Sequence, residues 1–443
     1  MSSNLLLIGK SGTVAARAAL DLTAQNVANA ANADYARRTL SMAEVAAKGG
    51  IGMEPGASLS GVRPDQVLRT NSLFLQNEAR RTSGDVARAD AELAGLGNAE
   101  TAIEQAGIYP ALVDFEASLA RLASDPLGGA LRAAVVEDAR RLAQTFQIAS
   151  NGLDVAEADL RFTAEAGVEQ ANLLAGEIAR TNAGIARARP GSVNMAALHD
   201  QRDALLRDLS ALTGATTSFD TLGRASVSLD GQALVSGGDV STLALANNPD
   251  GSFAFSVAGN PINLASGSLL GGSQGIASIA TYRARLDELA VQLIDTANAA
   301  QASGVSTDGT AAPPFFSGSN ARDITLALSG GEQVATAPAG DAAGSRNIGN
   351  LQALRDALLV DGPAKSADAL LFDLSSAISA RTVTRDALRT LADSAQVALT
   401  AETGVDLDQE AANLLRYQQM FQASGKVIQT AADIFDTILG IGR

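Results

Sequence analysis

The chain has no cysteine, no tryptophan, a single histidine and only 4% aromatic residues in a length of 443. The missing cysteine removes disulfides, thiolate metal sites and a cysteine nucleophile together, and leaves the redox compartment unmarked. One histidine with no cysteine cannot build the usual zinc centre. Long hydrophobic runs are missing as well. Leu5 to Ile8 is shorter than the core of about 7 to 15 residues in a secretory signal, and no stretch approaches the about 18 apolar residues of a membrane span. These absences predict a soluble chain with no cleaved signal, and an exported protein whose route reads no cleaved signal looks the same. Positive charge is also short. The formal charge of −15 and a pI near 4.6 disfavour non-specific attraction to nucleic acid or an anionic membrane, so the expected partners are proteins.

What is present is a folded protein's composition, 46% hydrophobic and 18% charged, in a length that accommodates two to four domains. Its apolar content is mostly Ala, Leu and Val, which favours closely packed helices over aromatic cores. The two ends carry matching seams. Leu5, Ile8, Gly12, Ala15, Ala19 and Leu22 recur at spacings of 3 and 4, and so do Ala411, Leu414, Gln418, Phe421, Gly425, Ile428, Ala432, Phe435 and Leu439. Such a repeat lines one face of a helix with a narrow coiled-coil stripe that must be buried against a partner. The small residues allow close approach but bury little area, so an isolated pair should fray and association with neighbouring copies is expected. An ordinary hairpin closing a monomer is the plainer alternative. Lys10, Arg17, Arg37 and Arg38 outweigh Asp21 and Asp34 in the first forty residues, while acids prevail in the last forty, which is compatible with pairing of the ends.

Between the seams the hydrophobic period divides the chain. Asn26 to Leu40 is polar and small, a turn and extended arm; Gly49, Gly50, Gly52, Pro55, Gly56, Gly61 and Pro64 punctuate the stretch after it. From about 66 to 212 the spacing is helical, as in Leu142, Phe146, Ala149, Leu153, Ala156 and Leu160, with breaks near Tyr109-Pro110, Asp125-Pro126 and Pro190-Gly191. Between Thr213 and Gly272 the pattern alternates, as in Ala225 to Leu229 and Phe253 to Val257, with turn signals at Asp230-Gly231, Asp250-Gly251 and Gly259-Asn260. Helical spacing then resumes. The expected fold is mainly α with an inserted small β domain, elongated, its N- and C-terminal helices paired as a coiled coil. The expected domains are 1–65 with 405–443 for the terminal assembly unit, 66–212 with 273–404 for a helical bundle, and 213–272 for the β insertion.

Catalytic constellations are nearly absent. His199 has Asp203 one helical turn away, a spacing that fits either a relay or a surface ion pair. The 48 acidic residues are scattered along helical faces among arginines, as on solvated surfaces. Gly267 to Gly275 precedes a helix but lacks the GxGxxG and GK[ST] patterns, so a flexible joint is the better reading than a phosphate cradle. Asp308-Gly309 lacks calcium-loop spacing and reads as a turn. No catalytic, cofactor or metal site is expected.

The arm Ala24 to Arg38 (AQNVANAANADYARR) resembles the signature of axial flagellar proteins, the rod, hook and first junction proteins. The run Gly404 to Ile441 (GVDLDQEAANLLRYQQMFQASGKVIQTAADIFDTILGI) is similar to their shared C-terminal helix. Within that group the helical middle, with LHDQRDALLRDLS at Leu198 to Ser210 and GSLLGGSQGIASIATYRARLDEL from Gly267, looks like the hook-associated protein 1 family. Asp34 stands before Tyr35 where the family has Gly, so a positive φ required there would fall on Asp. The short stretch Ser317 to Asn347 leaves little room for the outer domain of longer members.

The resemblance implies a non-enzymatic adaptor that joins hook to filament. It would form a ring of subunits whose terminal helices make an inner tube, with the helical domain outside. Its implied partners are further copies of itself, the hook protein, the second junction protein or flagellin side, and a cytosolic export chaperone on the C-terminal helix. Its implied location is extracellular, at the hook-filament junction, reached by type III export and with no cofactor. Candidate subunit-interface residues are Leu5, Ile8, Ala15, Leu22, Asn26, Asn29, Tyr35, Leu414, Phe421, Ile428, Phe435 and Leu439. The rivals are another axial protein of flagellin or hook type, a secreted hydrolase with paired acids in the β lobe, and a coiled-coil adhesin or effector.

Overall fold

A computed structural model of the chain describes residues 2–45, 61–248, 251–360 and 362–441. The glycines between Gly49 and Gly56, and Asp250, lie outside the described residues, as does the side chain of Leu439. The chain opens with α1 (Ser2–Ala28) and the hairpin arm β1 (Arg38–Glu44) and β2 (Val62–Arg69), then runs through α2 (Leu73–Ala106), α3 (Ile108–Leu122), α4 (Gly129–Arg187) and α5 (Val193–Thr213). Seven strands follow: β3 (Thr216–Phe219), β4 (Ala225–Leu229), β5 (Gln232–Ser236), β6 (Asp239–Val240), β7 (Leu243–Asn247), β8 (Phe253–Val257) and β9 (Asn260–Ile262). After α6 (Ser268–Ala302) come four two-residue strands, β10 (Gly304–Val305), β11 (Phe316–Ser317), β12 (Thr325–Leu326) and β13 (Ala337–Pro338). The chain then finishes with α7 (Gly349–Leu359), α8 (Pro363–Thr403) and α9 (Leu407–Ile441). This is the mainly α architecture with a small β region that the sequence predicts, and α1 and α9 are paired.

The helix boundaries have local causes. Ser72 and Ser192 cap α2 and α5 by accepting the amides of Leu75 and Met195. Gly107 and Gly214 end α2 and α5 with positive φ, where a side chain would be strained. The α2–α3 break therefore lies at Gly107, and Tyr109-Pro110 sits in the first turn of α3, where proline loses no helical hydrogen bond. Helix α4 runs 59 residues, about 90 Å at 1.5 Å per residue, and elongates the molecule.

At the centre α2 packs against α6, and both contact α4 on one flank and α8 on the other. The main apolar core runs from Leu96 to Leu374 and contains every residue of the Leu142 to Leu160 repeat. Phe115 meets Phe315 and Phe316 edge-on in it, with ring centroids 5.6 and 6.1 Å apart, and the latter two rings are tilted against each other at 5.1 Å. The glycines after Gly267 make a helix crossing, not a flexible joint or a phosphate cradle. A Cβ built on Gly275 would stand 3.2 Å from Gly95 Cα, and one on Gly271 would overlap the Arg88 carbonyl. Cβ-free surfaces let α2 and α6 come into backbone contact.

The β region forms two antiparallel sheets, in the orders β3-β4-β5-β6 and β7-β8-β9. Asp230 and Gly231, with φ of 48° and 77°, make a two-residue β4–β5 turn at the expected place. The β8–β9 turn falls on Ala258-Gly259, one residue before the expected pair. Both sheets lean on α4. Asn172 binds both backbone groups of Leu243, and Asn182 binds those of Ala225, at 2.8 to 2.9 Å. Arg132 pins the segment after Phe316 by donating to the carbonyls of Gly331 and Val334 and to Thr336 Oγ1.

Candidate assembly interface

Helices α1 and α9 lie side by side through small residues. A Cβ on Gly9 would stand 2.6 Å from Ile428 Cγ1 and 3.1 Å from the Ser424 carbonyl, and one on Gly12 would overlap Ser424 Oγ. On α1 the buried face is Gly9, Gly12, Ala15, Ala16, Ala19, Leu22, Thr23 and Asn26. On α9 the covered positions are Glu410, Asn413, Leu414, Tyr417, Ser424, Val427, Ile428 and Ala431. This face is centred about one residue before the seam read from the sequence. Gly425 consequently has open space around it, and Ala432 is exposed.

Large side chains are left outward by this arrangement. Leu6, Leu7, Val14 and Val27 on α1, and Leu407, Leu415, Met420, Phe421, Ile434 and Phe435 on α9, are all exposed. Of the candidate interface residues, Ala15 and Leu22 are buried, Ile8, Leu414 and Ile428 are half-covered, and Leu5, Phe421 and Phe435 face solvent. Neither terminal helix contributes to the main core, so their attachment to the rest of the molecule rests elsewhere.

That attachment is a buried polar knot. Asp200 and Asp203 stand on successive turns of α5 and receive the arm. Arg38 Nη2 lies 2.6 Å from Asp200 Oδ2, while Arg69 donates 2.7 Å to Asp200 and 2.8 Å to Asp203. Gln76 of α2 and Arg202 complete the shell of Asp203 at 3.0 and 2.9 Å. Tyr35 donates its hydroxyl to Asn26 Oδ1 at 2.7 Å, Asn26 donates 2.8 Å to the Arg38 carbonyl, and the Arg38 guanidinium stacks 4.6 Å from the Tyr35 ring. Burial pushes the Tyr35 phenol above its ordinary pKa, so it remains a donor at neutral pH. Arg37 reaches the other terminus, bonding Thr403 O through its amide and Glu410 Oε1 through Nε, each at 2.8 Å.

Asn26 and Tyr35 are thus engaged inside the chain, and Asn29 bonds the Gln25 carbonyl one turn back. Asp34 keeps a negative φ: among described non-glycine residues only Asp230 and Ala258 are positive. It pairs with Arg207 at the knot's edge. No sequence expectation names the knot. Its signal is the two carboxylates of LHDQRD, three residues apart and on one helix face, against Arg38 at the end of the arm motif; Arg69, which completes it, carries no local mark.

The knot also answers for His199. Asp203 gives its oxygens to Arg69, Arg202 and Gln76, so neither the relay nor the surface pair forms. Burial first, then Arg202 and Arg69, hold the imidazole below its ordinary pKa and therefore neutral at pH 7. The Asp200–Asp203 pair has its carboxylates occupied by fixed cations, which suits anchoring and not proton abstraction. Among the described residues no cluster of three or more His, Cys, Asp or Glu could hold a metal, and no helix is long and apolar enough to cross a membrane.

Residues 98–316 match the family described as flagellar hook-associated protein FlgK helical domain, and residues 400–441 match the flagellar basal body rod FlgEFG protein C-terminal family. Flagellar hook-associated protein 1 of Escherichia coli (strain K12) is 26% identical over 71% of this chain and 60% of its own. That of Salmonella typhimurium is 28% identical over 74% and 63%, and that of Bacillus subtilis (strain 168) 26% over 47% and 43%. The chain therefore spans 43% to 63% of these relatives' lengths. A solved structure of the flagellar hook junction protein FlgK from Burkholderia pseudomallei aligns with a TM-score of 0.49 and 25% identity, over 54% of this chain and 46% of that one. A helical domain closed by a rod-type C-terminal helix defines an axial flagellar protein. Within that class, the chain is similar to the hook-associated protein 1 family.

Proposed function

We propose that this protein is a structural adaptor that joins the flagellar hook to the filament, assembling as a ring through its terminal helices. The carrying observation is the α1–α9 pair. Its small residues are used within the chain, while several of its large ones, Leu5, Phe421 and Phe435 among them, remain outward. Burying that outer face against neighbours would supply the apolar area the pair lacks. On this reading residues 1–65 and 405–443 form the axial unit, 66–212 and 273–404 the surrounding helical domain, and 213–272 a β appendage without catalytic work. Its neighbours are copies of itself, the hook protein, and the second junction protein or flagellin side. Before assembly an export chaperone covers α9, and the type III route delivers the chain outside the cell. The relatives' names favour a structural role over hydrolysis.

Amide hydrogen exchange of the purified protein, alone and on isolated hooks, tests the proposal. Fast exchange over 1–30 and 410–443 in the free protein, slowing on hooks, is the expected result. Ends protected in the monomer and unchanged by hooks would make α1 and α9 a plain hairpin and end the adaptor reading.

A further inference from the structure

The helical domain carries two apolar stripes that the assembly reading has not used. On α4, Ile148, Val155, Phe162 and Leu173 are 57%, 70%, 72% and 64% exposed. Separations of 7, 7 and 11 residues return each to one side of the helix, opposite the buried row of Leu153, Leu160 and Ala171. On α8, Phe372, Val383 and Val397 are 71%, 71% and 68% exposed and share a side, opposite Leu370 and Leu374. Each stripe spans 25 residues, about 37 Å of helix.

Their relative placement is the informative part. Helices α4 and α8 flank the central α2–α6 pair from opposite sides, so the two outer stripes face away from each other. They also lie at one height. Near the end of α2, a Cβ on Gly152 of α4 would stand 2.9 Å from Ala102, and Ser375 of α8 donates 2.6 Å to Glu100. Two turns along, Gly95 faces Leu160 of α4, while Glu92 pairs with Arg381 of α8 at 2.8 Å. Both helices therefore run in the same direction with Phe162 level with Val383. A copy placed alongside, without shift or inversion, sets the α4 stripe of one against the α8 stripe of the next.

We propose that these stripes form a lateral head-to-tail contact between neighbouring copies of this chain, outside the contact of the terminal helices. A heterologous contact of this kind repeats around a closed ring. It rests on the adaptor reading above and adds to it the second surface that holds subunits side by side. A strip about 37 Å by 10 Å buries roughly 400 Å² per partner, about half of what a stable pair needs. The flanks are acidic, with Asp159 and Glu169 on α4 and Asp386 and Asp393 on α8, in a chain of net charge −15. Area and charge together keep dilute copies apart, and the contact forms when the terminal helices have already aligned the subunits.

The chain has no native cysteine, so Phe162→Cys combined with Val383→Cys gives a clean probe, and both sites are open enough to leave the fold intact. The double variant is loaded on isolated hooks, oxidised mildly, and run without reductant. A ladder extending beyond dimer, which neither single variant can make, is the expected result. Chain bound to hooks without a ladder overturns the lateral contact while leaving the adaptor reading standing. Failure to bind hooks at all overturns the adaptor reading and this inference with it.

Discussion

Asp200 is where the two ends of the chain are made to depend on the middle. Its carboxylate sits between Arg38 and Arg69, all three side chains nearly closed to solvent. Removing it strands two guanidiniums in a buried site, and breaking a buried pair costs about 3–5 kcal/mol. Asp200→Ala is expected to lose that much in urea unfolding followed by circular dichroism. Asp208→Ala, whose partner Arg207 is itself solvated, should stay within about 1 kcal/mol of the parent. The sequence displays both carboxylates and both arginines but not their meeting, because the partners lie 131 to 162 positions apart. His199 illustrates the same blindness: Asp203 at the fourth position is adjacent on the helix, yet stronger cationic donors from elsewhere claim it.

At the scale of elements, the terminal pair depends on two glycines of α1. A leucine at Gly9 must displace Ile428 and the backbone at Ser424, and overpacking of this kind costs about 1–3 kcal/mol. Gly9→Leu should speed amide exchange in α9 without altering α2, α4 or α6. Gly425→Ala meets nothing within 4 Å and should stabilise α9 by up to about 1 kcal/mol, the difference in helix propensity. The existence of both helices and most of the packed face of α1 were readable from their 3-4 spacing. On α9 the stripe allows either α1 or a neighbouring copy as partner; contact with α1 falls on Ser424 and Ala431 and leaves Phe421 outward. Periodicity identifies a stripe and is silent about which of several partners it meets.

For the molecule as a whole, the main core excludes α1 and α9, which are tied on by the arm and the polar knot. Regions with few buried apolar contacts open first. Calorimetry should resolve an early transition for the terminal pair and a later one for the helical domain. Deleting residues 407–443 is expected to abolish the first and leave the second in place; a single transition unaffected by the deletion would show that the ends are integral to the core.

The sequence by itself determined the helix-rich class, the alternating strand segment, the Asp230-Gly231 turn and the likeness to axial flagellar proteins, because each is written in local period, turn chemistry or contiguous motif. Only the tertiary structure decided that α2 and α6 meet backbone to backbone through glycines, that Asp200 and Asp203 gather arginines from the arm, and that the stripes of α4 and α8 stand level on opposite flanks. Those facts depend on residues distant in the chain approaching within a few ångströms, and no local pattern encodes that proximity.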